Sequence, residues 1–321
     1  MRCSKNNKEK LLQYENLVVD AHCDVITAML EQNRRLGEYT GAGQLDLPRM
    51  KQGGIKLQFF AAFIAPEYKS AAVKRALDLI DHFCKEIEEN KKDIAHVKNI
   101  NDINEAINSK KIAALLSVEG GEALEGSIHV LRMLYRLGVR SLTLTWNGRN
   151  ELGDGVGVQE GAGLTQFGKK VVREMNSLNM IIDVSHLAEK GFWDVLKISQ
   201  APVIASHSNC RAICGHPRNL NDAQIRALAE KGGVMGITYV PAFLGGNNPS
   251  VKEVLDHIEH AVNVGGIECV GLGSDFDGTD ELPDGLEDCS RIEAITAGLI
   301  DRGYDKCAIN KIIGGNFLRL T

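Results

Sequence analysis

Short runs of apolar and β-branched residues alternate along the chain with longer segments whose apolar residues recur at helical spacing. Eight such runs predict strands, with the bounds Val18–His22, Ile55–Phe63, Ile112–Glu119, Ser141–Thr145, Met180–Ser185, Pro202–Ser206, Gly233–Tyr239 and Cys269–Ser274. Helical spacing lies between and after them, chiefly over residues 70–90, 128–137, 165–176, 188–199, 222–231, 251–264, 291–302 and 304–314. Strands that alternate with helices in this way predict a (β/α)8 barrel of the TIM type.

A doubly wound open sheet is the alternative fold for this alternation. The barrel is favoured because chemically competent side chains follow many different strands, whereas an open sheet would collect them at one switch point. With 321 residues, 44% of them hydrophobic, the chain can form one large barrel domain. Residues 1–10 are polar, and we expect residues 1–15 to form an N-terminal extension or helix.

Composition narrows the class of protein. The net charge is −5 with both signs interspersed, which lacks the basic footprint of a nucleic-acid binder. The eight cysteines include no Cys-x-x-Cys pair, a pattern that favours reduced thiols over a disulfide scaffold. The sequence has neither the apolar core of a signal peptide nor a run long enough for a membrane span. We therefore expect a cytoplasmic enzyme without membrane or nucleic-acid partners.

Five of the predicted strands end in side chains that can hold metal ions or carry protons, and in a barrel these ends surround one mouth. Imidazole and carboxylate are zinc ligands, and one carboxylate can bridge two ions about 3.5–4 Å apart. Water between such ions becomes hydroxide near neutral pH, while a separate carboxylate moves protons. The residues are His22, Asp24, Glu119, His186, His207 and Asp275.

Each motif has a simpler interpretation when it is taken alone. Glu119 could begin a helix, and the two Ser-His pairs could hold structural histidines. Asp275-x-Asp277-Gly278 resembles a calcium loop, but its glycine is misplaced for an EF-hand. His216 could line the mouth, whereas we expect surface or packing roles for His82, His96, His129, His257 and His260. The joint placement at strand ends favours the metal interpretation.

Seven stretches, in order along nearly the whole chain, resemble the membrane (renal) dipeptidases, which are dizinc peptidases of the amidohydrolase-like superfamily. His-x-Asp after the first strand separates this family from the commoner amidohydrolases, which have His-x-His. The stretches are Asp20-Ala21-His22-Cys23-Asp24, Ser117-Val118-Glu119-Gly120, Leu142-Thr143-Leu144-Thr145, Asp183-Val184-Ser185-His186, Ser206-His207-Ser208 with Pro217-Arg218-Asn219, Gly273-Ser274-Asp275-Phe276-Asp277-Gly278, and Gly314-Gly315-Asn316-Phe317.

The resemblance implies roles for the candidate metal ligands and for two further residues. One zinc would be held by His22, Asp24 and Glu119. The second would be held by Glu119, His186 and His207, so that Glu119 bridges two ions per chain. The resemblance also implies that Arg218 binds the C-terminal carboxylate of a dipeptide, and that Asp275 manages the proton and the amino end of the substrate.

The chain departs from the family pattern after Thr143-Leu144-Thr145, where members often have a histidine that polarises the scissile carbonyl. Trp146 and Asn147 stand here, and either could donate a hydrogen bond to that carbonyl or simply shape the pocket. The expected function is hydrolysis of dipeptides with a free C-terminal carboxylate, and the family also implies a homodimer. The alternatives are a dinuclear hydrolase of lactams or N-acyl amino acids, and a non-catalytic barrel that binds metal or peptide.

Overall fold

The structure is a computed structural model that describes residues 17–321, so the predicted N-terminal extension or helix at 1–15 lies outside the described residues. The sheet within this range contains nine strands, and all of their pairings are parallel. The strands are β1 (Val18–Asp20), β2 (Ile55–Phe63), β3 (Ile94–Val97), β4 (Ile112–Glu119), β5 (Ser141–Thr143), β6 (Ile181–Asp183), β7 (Ile204–Ser208), β8 (Val234–Ile237) and β9 (Val270–Leu272).

Eight of the strands close into a barrel. β2 pairs with β4, and from β4 onward each strand pairs with the next one along the chain up to β9. β1 lies between β2 and β9, and the pair Asp20–Leu272 completes the ring. The (β/α)8 barrel is therefore confirmed, and the open doubly wound sheet is excluded.

The sequence did not predict β3. This short strand pairs with residues 112–115 of β4, and β5 pairs with residues 117–119 on the same edge. β3 is thus an addition outside the closed ring, made possible because β4 is long enough to serve two neighbours. His96 lies in this strand, and its ring packs against Phe83 of the preceding helix.

Burial on both faces of the barrel strands explains why their sequences are continuous apolar runs. All eight residues of β4 are buried, since barrel strands face packed side chains on the inside and helices on the outside. Several strands end earlier than predicted, and β1 ends at Asp20, before His22. β7 instead extends to Ser208, so His207 lies within a strand.

Helices cover the outside of the barrel, and two of them begin with complete capping boxes, at Asn221 and Ser250. No helix in residues 17–321 is long and apolar enough to cross a membrane. The predicted C-terminal helix over 304–314 is divided between a short α-helix, Lys306–Asn310, and a π-helical segment, Lys311–Gly315. The helices are α1 (Val25–Gln32), α2 (Leu47–Gln52), α3 (Ala72–Glu89), α4 (Ile100–Asn108), α5 (Ile128–Leu137), α6 (Gln166–Ser177), α7 (Glu189–Ile198), α8 (Asp222–Glu230), α9 (Pro241–Leu244), α10 (Val251–Gly265), α11 (Glu293–Asp301), α12 (Lys306–Asn310), the π-helical Lys311–Gly315 and α13 (Asn316–Leu318).

Candidate active site

Six predicted side chains meet at the carboxyl end of the barrel strands. They come from five different strands or from the residues directly after them, and each is at most 9% exposed. Two follow β1, one ends β4, one follows β6, one lies in β7 and one follows β9. In that order they are His22 and Asp24, Glu119, His186, His207 and Asp275.

The carboxylate of Glu119 is the centre of this group. Its Oε1 lies 2.9 Å from Nε2 of His186 and 3.4 Å from Nε2 of His207. Its Oε2 lies 3.4 Å from Nε2 of His22, which is also 3.4 Å from Oδ2 of Asp24. One oxygen of Glu119 therefore faces two imidazoles and the other faces the third, which is the arrangement that a bridging ligand needs.

Three overlapping groups in residues 17–321 have ligand atoms within 4.8 Å of one another. Two of them correspond to the two ligand sets that the family resemblance implies, and they share Glu119. The third combines Asp275 with His22 and His207. Asp275 is therefore close enough to serve as a metal ligand as well as a proton carrier.

The histidine protons point away from the cluster. Nδ1 of His186 lies 2.8 Å from Oδ1 of Asn147, an acceptor that requires a proton on Nδ1. Nδ1 of His207 lies 2.7 Å from Oγ of Ser206, whose hydroxyl itself donates to Asp183. Both Nε2 atoms therefore present lone pairs to the site. Burial lowers the pKa of His186 to about 4 and that of His207 well below its ordinary value, which favours the neutral form that binds metal.

The charges around His22 favour a cation at the same place. Burial opposes a charge on this imidazole, but the carboxylates of Glu119 and Asp24 raise its pKa well above the ordinary value. Burial by itself would raise the pKa of Glu119, yet His22 and the other two imidazoles hold it well below its usual range. Imidazole nitrogens and carboxylate oxygens that converge on one buried point form a donor set that fits divalent ions.

Asp275 has the properties of a group that exchanges a proton near neutral pH. Burial raises its pKa to about 7, and the carboxylates of Asp24 and Glu119 raise it as well, while His22 opposes the shift. Its Oδ1 lies 3.7 Å from Nε2 of His22. A carboxyl group with this pKa beside the ligands is suited to general acid–base work.

Two aspartates beneath the cluster were not identified from the sequence. Asp183 accepts hydrogen bonds from the hydroxyls of Thr143 and Ser206 at 2.6 and 2.5 Å and from the backbone N–H of Ser206 at 2.9 Å. Asp20 accepts from the N–H and hydroxyl of Ser274 at 2.8 and 2.6 Å. Asp183 thus fixes Ser206, which directly precedes His207, and Asp20 fixes Ser274, which directly precedes Asp275. A signal was available, because both acidic residues interrupt apolar strand runs.

Arg218 lies at the same mouth and is only 3% exposed. Its Nη2 donates to the carbonyl of His207 at 2.9 Å, while Nε and Nη1 have no hydrogen-bond partner among residues 17–321. Burial lowers the pKa of this guanidinium, and the carboxylates of Asp275 and Glu119 counteract that shift. A buried cation with unused donors beside a metal cluster is suited to bind a carboxylate.

Trp146 and Asn147 differ in what they contact. The Trp146 ring is half-buried, with its centroid 5.5 Å from that of Phe63 and 6.0 Å from that of His186. Trp146 therefore forms an aromatic wall beside the cluster. The side-chain oxygen of Asn147 holds His186, as described above, so the structure gives Asn147 a role in orienting this ligand.

His216 lies beside Arg218. Its Nδ1 accepts a hydrogen bond from the backbone N–H of Arg218 at 3.2 Å, and its ring centroid is 4.4 Å from that of Phe243. The Phe243 ring centre is also 5.4 Å from the guanidinium carbon of Arg218. The loop after β7 and helix α9 therefore enclose the arginine together.

Comparison with known proteins identifies the family. Residues 6–321 match the family described as membrane dipeptidase, peptidase family M19. The chain belongs to this family. It is 35% identical to Dipeptidase 3 of Mus musculus over 320 residues, which cover 94% of this chain and 63% of that protein. The chain thus spans less than two thirds of the length of this curated relative.

Solved structures of two metallopeptidases have the same fold. A metallopeptidase of family M19, dipeptidase AC, superposes with a TM-score of 0.90 at 30% identity, covering 95% of this chain and 97% of that one. A metallopeptidase from Rhodobacter sphaeroides superposes with a TM-score of 0.88 at 28% identity, covering 95% and 98%. The latter was solved with a phosphinate mimic of the dipeptide L-Ala-D-Ala.

Proposed function

We propose that this protein is a zinc-dependent dipeptidase that hydrolyses dipeptides with a free C-terminal carboxylate. The observation that carries the proposal is the buried guanidinium of Arg218, which has two unused donor atoms beside a cluster of metal-ligand type. Membership of the membrane dipeptidase family supports the reaction class. The R. sphaeroides relative, which binds a dipeptide mimic, supports the size of the substrate.

Two zinc ions per chain fit the donor set. His22 and Asp24 would hold one ion together with Glu119, and His186 and His207 would hold the other with the same carboxylate. Imidazole and carboxylate ligands suit zinc, and neither is a soft thiolate. When bound, such a pair polarises a carbonyl and lowers the pKa of water.

The remaining steps belong to side chains of the chain itself. Arg218 pairs with the substrate carboxylate, and this contact sets the distance between the C-terminal end and the scissile bond. Asp275 accepts a proton during attack and returns it to the leaving amine. Trp146 narrows the mouth next to His186 and limits the length of the peptide.

A substrate comparison tests the proposal. The zinc-loaded protein is given L-Ala-D-Ala, L-Ala-L-Ala, their C-terminal amides and the matching tripeptides, and kcat/KM is measured. We expect dipeptides to exceed their amides by about 10- to 100-fold or more, because the amide leaves the buried guanidinium without its ionic partner. The variant Arg218→Ala should lower kcat/KM for the dipeptide and for its amide to a common low value. Arg226→Ala, at an exposed position on α8, is the control and should leave the ratio unchanged.

Equal rates on dipeptide and amide in the native protein would contradict the proposal. Lactams and N-acyl amino acids belong in the same panel, because faster hydrolysis of either class would establish the related amide hydrolase instead. Two bound zinc ions without hydrolysis of any of these substrates would favour a non-catalytic metal-binding barrel.

A further inference from the structure

The turn after β9 brings two site carboxylates together. Asp275 and Asp277 both have left-handed backbone conformations, with φ of 70° and 63°, and the N–H of Gly278 donates to the carbonyl of Asp275 at 3.0 Å. A methyl group on Gly278 would overlap Oδ1 of Asp275 and Oδ2 of Asp24. The two carboxylates therefore lie directly against the backbone of this turn, and its shape determines where they can be.

The side chain of Asp277 makes its contacts outside the cluster of candidate metal ligands. Its Oδ1 accepts from Nη1 of Arg34 at 3.0 Å and from the backbone N–H of Gln44 at 2.9 Å. Its own N–H donates to Oε1 of Gln44 at 2.7 Å. The side chains of Arg34 and Asp277 are 6% and 3% exposed, so this is a buried ion pair with hydrogen bonds on both sides. It fastens the segment after α1 to the turn after β9.

Close packing fixes the arginine as well. Nη2 of Arg34 donates to the carbonyl of Leu45 at 3.1 Å, and any side chain on Gly43 would overlap the guanidinium. A residue with left-handed φ persists only when its surroundings hold it there, and such strain is common at functional sites. Here the surroundings are the Arg34 pair and the Gln44 contacts. Asp24 immediately precedes α1 and Arg34 follows it, so the pair ties together the two chain segments that carry Asp24 and Asp275.

We propose that Arg34 and Asp277 are positioning residues whose ion pair holds the 275–278 turn so that the carboxylates of Asp24 and Asp275 stay side by side next to His22. The expected effect on turnover rests on the proposed dipeptidase function. The expected effect on metal affinity does not, because Asp24 belongs to a candidate metal-ligand group.

The test uses the full chain with both charges removed together. The double variant Arg34→Gln with Asp277→Asn leaves no unpaired buried charge, which is the usual reason that breaking a buried ion pair unfolds a protein. Arg34→Lys is the second variant. It keeps the charge near Asp277 but has no second donor arm for Leu45, and it serves if the double variant does not fold.

Arg75→Gln is the matched control. Arg75 has a buried guanidinium that pairs at 2.6 Å with Glu31 of α1, and its side chain is 8% exposed. This pair does not include the turn after β9. The control should therefore lower the unfolding midpoint without changing zinc affinity or kcat.

Zinc affinity is measured by competition with a chromophoric chelator, and kcat and KM are measured on metal-saturated protein with a dipeptide. In the double variant we expect the affinity for the more weakly bound zinc ion to fall about 10-fold or more. We expect kcat to fall about 10- to 100-fold. KM should stay within about threefold of the native value, since Arg218 is untouched. Arg34→Lys should change both quantities in the same direction by less.

A folded double variant with native zinc affinity and native kcat would overturn the inference. So would equal losses in Arg75→Gln, because the effect would then be one of general stability. If the native protein hydrolyses no dipeptide, the proposed function fails, and the difference in zinc affinity between the double variant and Arg75→Gln still decides the inference.

Discussion

The Nε2 atoms of His186 and His207 lie 2.8 Å apart, and the hydrogen bonds at Nδ1 of each ring favour the tautomers in which neither Nε2 carries a proton. Oδ1 of Asn147 accepts a hydrogen bond from Nδ1–H of His186, and Oγ of Ser206 accepts one from Nδ1–H of His207. Two lone pairs at this distance repel each other unless a cation lies near both. The hydrogen bonds that orient the two imidazoles, like the ligand atoms themselves, therefore favour the binding of metal ions.

Glu119→Gln should lose metal and activity together. The carboxylate contacts all three imidazoles, so its replacement by an amide removes the charge that two ions would share. We expect the native protein to bind about two equivalents of zinc, and the variant to bind less and to have almost no turnover. Elemental analysis after gel filtration measures the stoichiometry, and thermal unfolding with and without zinc measures the linked stabilisation.

Glu122→Gln is the control for that experiment. Glu122 is also buried, but it pairs with Asn150 and lies outside the three metal-ligand groups found in residues 17–321. It should keep both zinc equivalents. A native stoichiometry of one would disprove the dinuclear centre, and full metal content in Glu119→Gln would show that this residue is not the bridge.

Asp275→Asn should keep its metals and lose most of its turnover. The variant cannot accept a proton, and general acid–base groups typically contribute about 10²- to 10⁴-fold in rate. Metal content and kcat are measured on the same sample, with the exposed Asp280→Asn as control. Loss of zinc would instead make Asp275 a ligand, as its grouping with His22 and His207 allows.

The strand ends explain why so much of the site could be predicted. Parallel barrel strands place their carboxyl ends around one mouth, so any ligand-type residue that follows a strand is carried to the same place. Glu119 and His207 could be found in this way even though the predicted end of β7 was two residues too early. Local sequence is sufficient to identify these site residues because the barrel fold brings the strand ends together.

Contacts that join distant segments could not be predicted in this way. Arg34 and Asp277 are 243 residues apart, and neither has a neighbouring sequence signal for its partner. β3 was missed because four residues carry little periodicity and the strand forms by pairing with the long β4. Asp183 was visible as an acidic residue in an apolar strand, but its role depends on hydroxyls from β5 and β7.

Asp183→Asn should weaken both the fold and the zinc site. Its two oxygens accept four hydrogen bonds from Thr143, Ser185 and Ser206, and an amide would turn one acceptor into a donor that faces another donor. We expect a loss of about 1–3 kcal/mol in the free energy of unfolding and of about 10- to 100-fold in zinc affinity, because Ser206 orients His207. Urea unfolding and chelator competition measure the two effects.

Asp194→Asn is the comparison for Asp183. Asp194 accepts a hydrogen bond from the backbone N–H of Leu164, and its side chain is 32% exposed. It should lose less stability and keep native zinc affinity. Native zinc affinity in Asp183→Asn would show that Ser206 holds His207 without help from the aspartate.

His96 should make the fold less stable in mild acid. Its ring lies in β3, edge-on to Phe83 at 5.0 Å, with Nε2 3.3 Å from the carbonyl of Gly138. Burial lowers its pKa to about 4 from the ordinary value of 6.5, and the charges of Lys98 and Arg140 add to that shift. Between these two values the unfolded chain binds more protons than the folded one. The contribution to stability is therefore complete above pH 6.5 and is lost as the pH falls toward 4.

Urea unfolding at pH 7 and pH 5 tests this in native protein and in His96→Gln. One proton sets a limit of about 1.4 kcal/mol per pH unit, and partial exposure of the ring lowers the effect below that limit. Other titrating groups act equally in both proteins, so the difference between them isolates His96. The native protein should lose more stability between the two pH values than the variant. His129→Gln, at an exposed position on α5, should behave as the native protein does. The same pH dependence in native protein and His96→Gln would mean that the ring accepts a proton in the folded state as readily as in the unfolded chain.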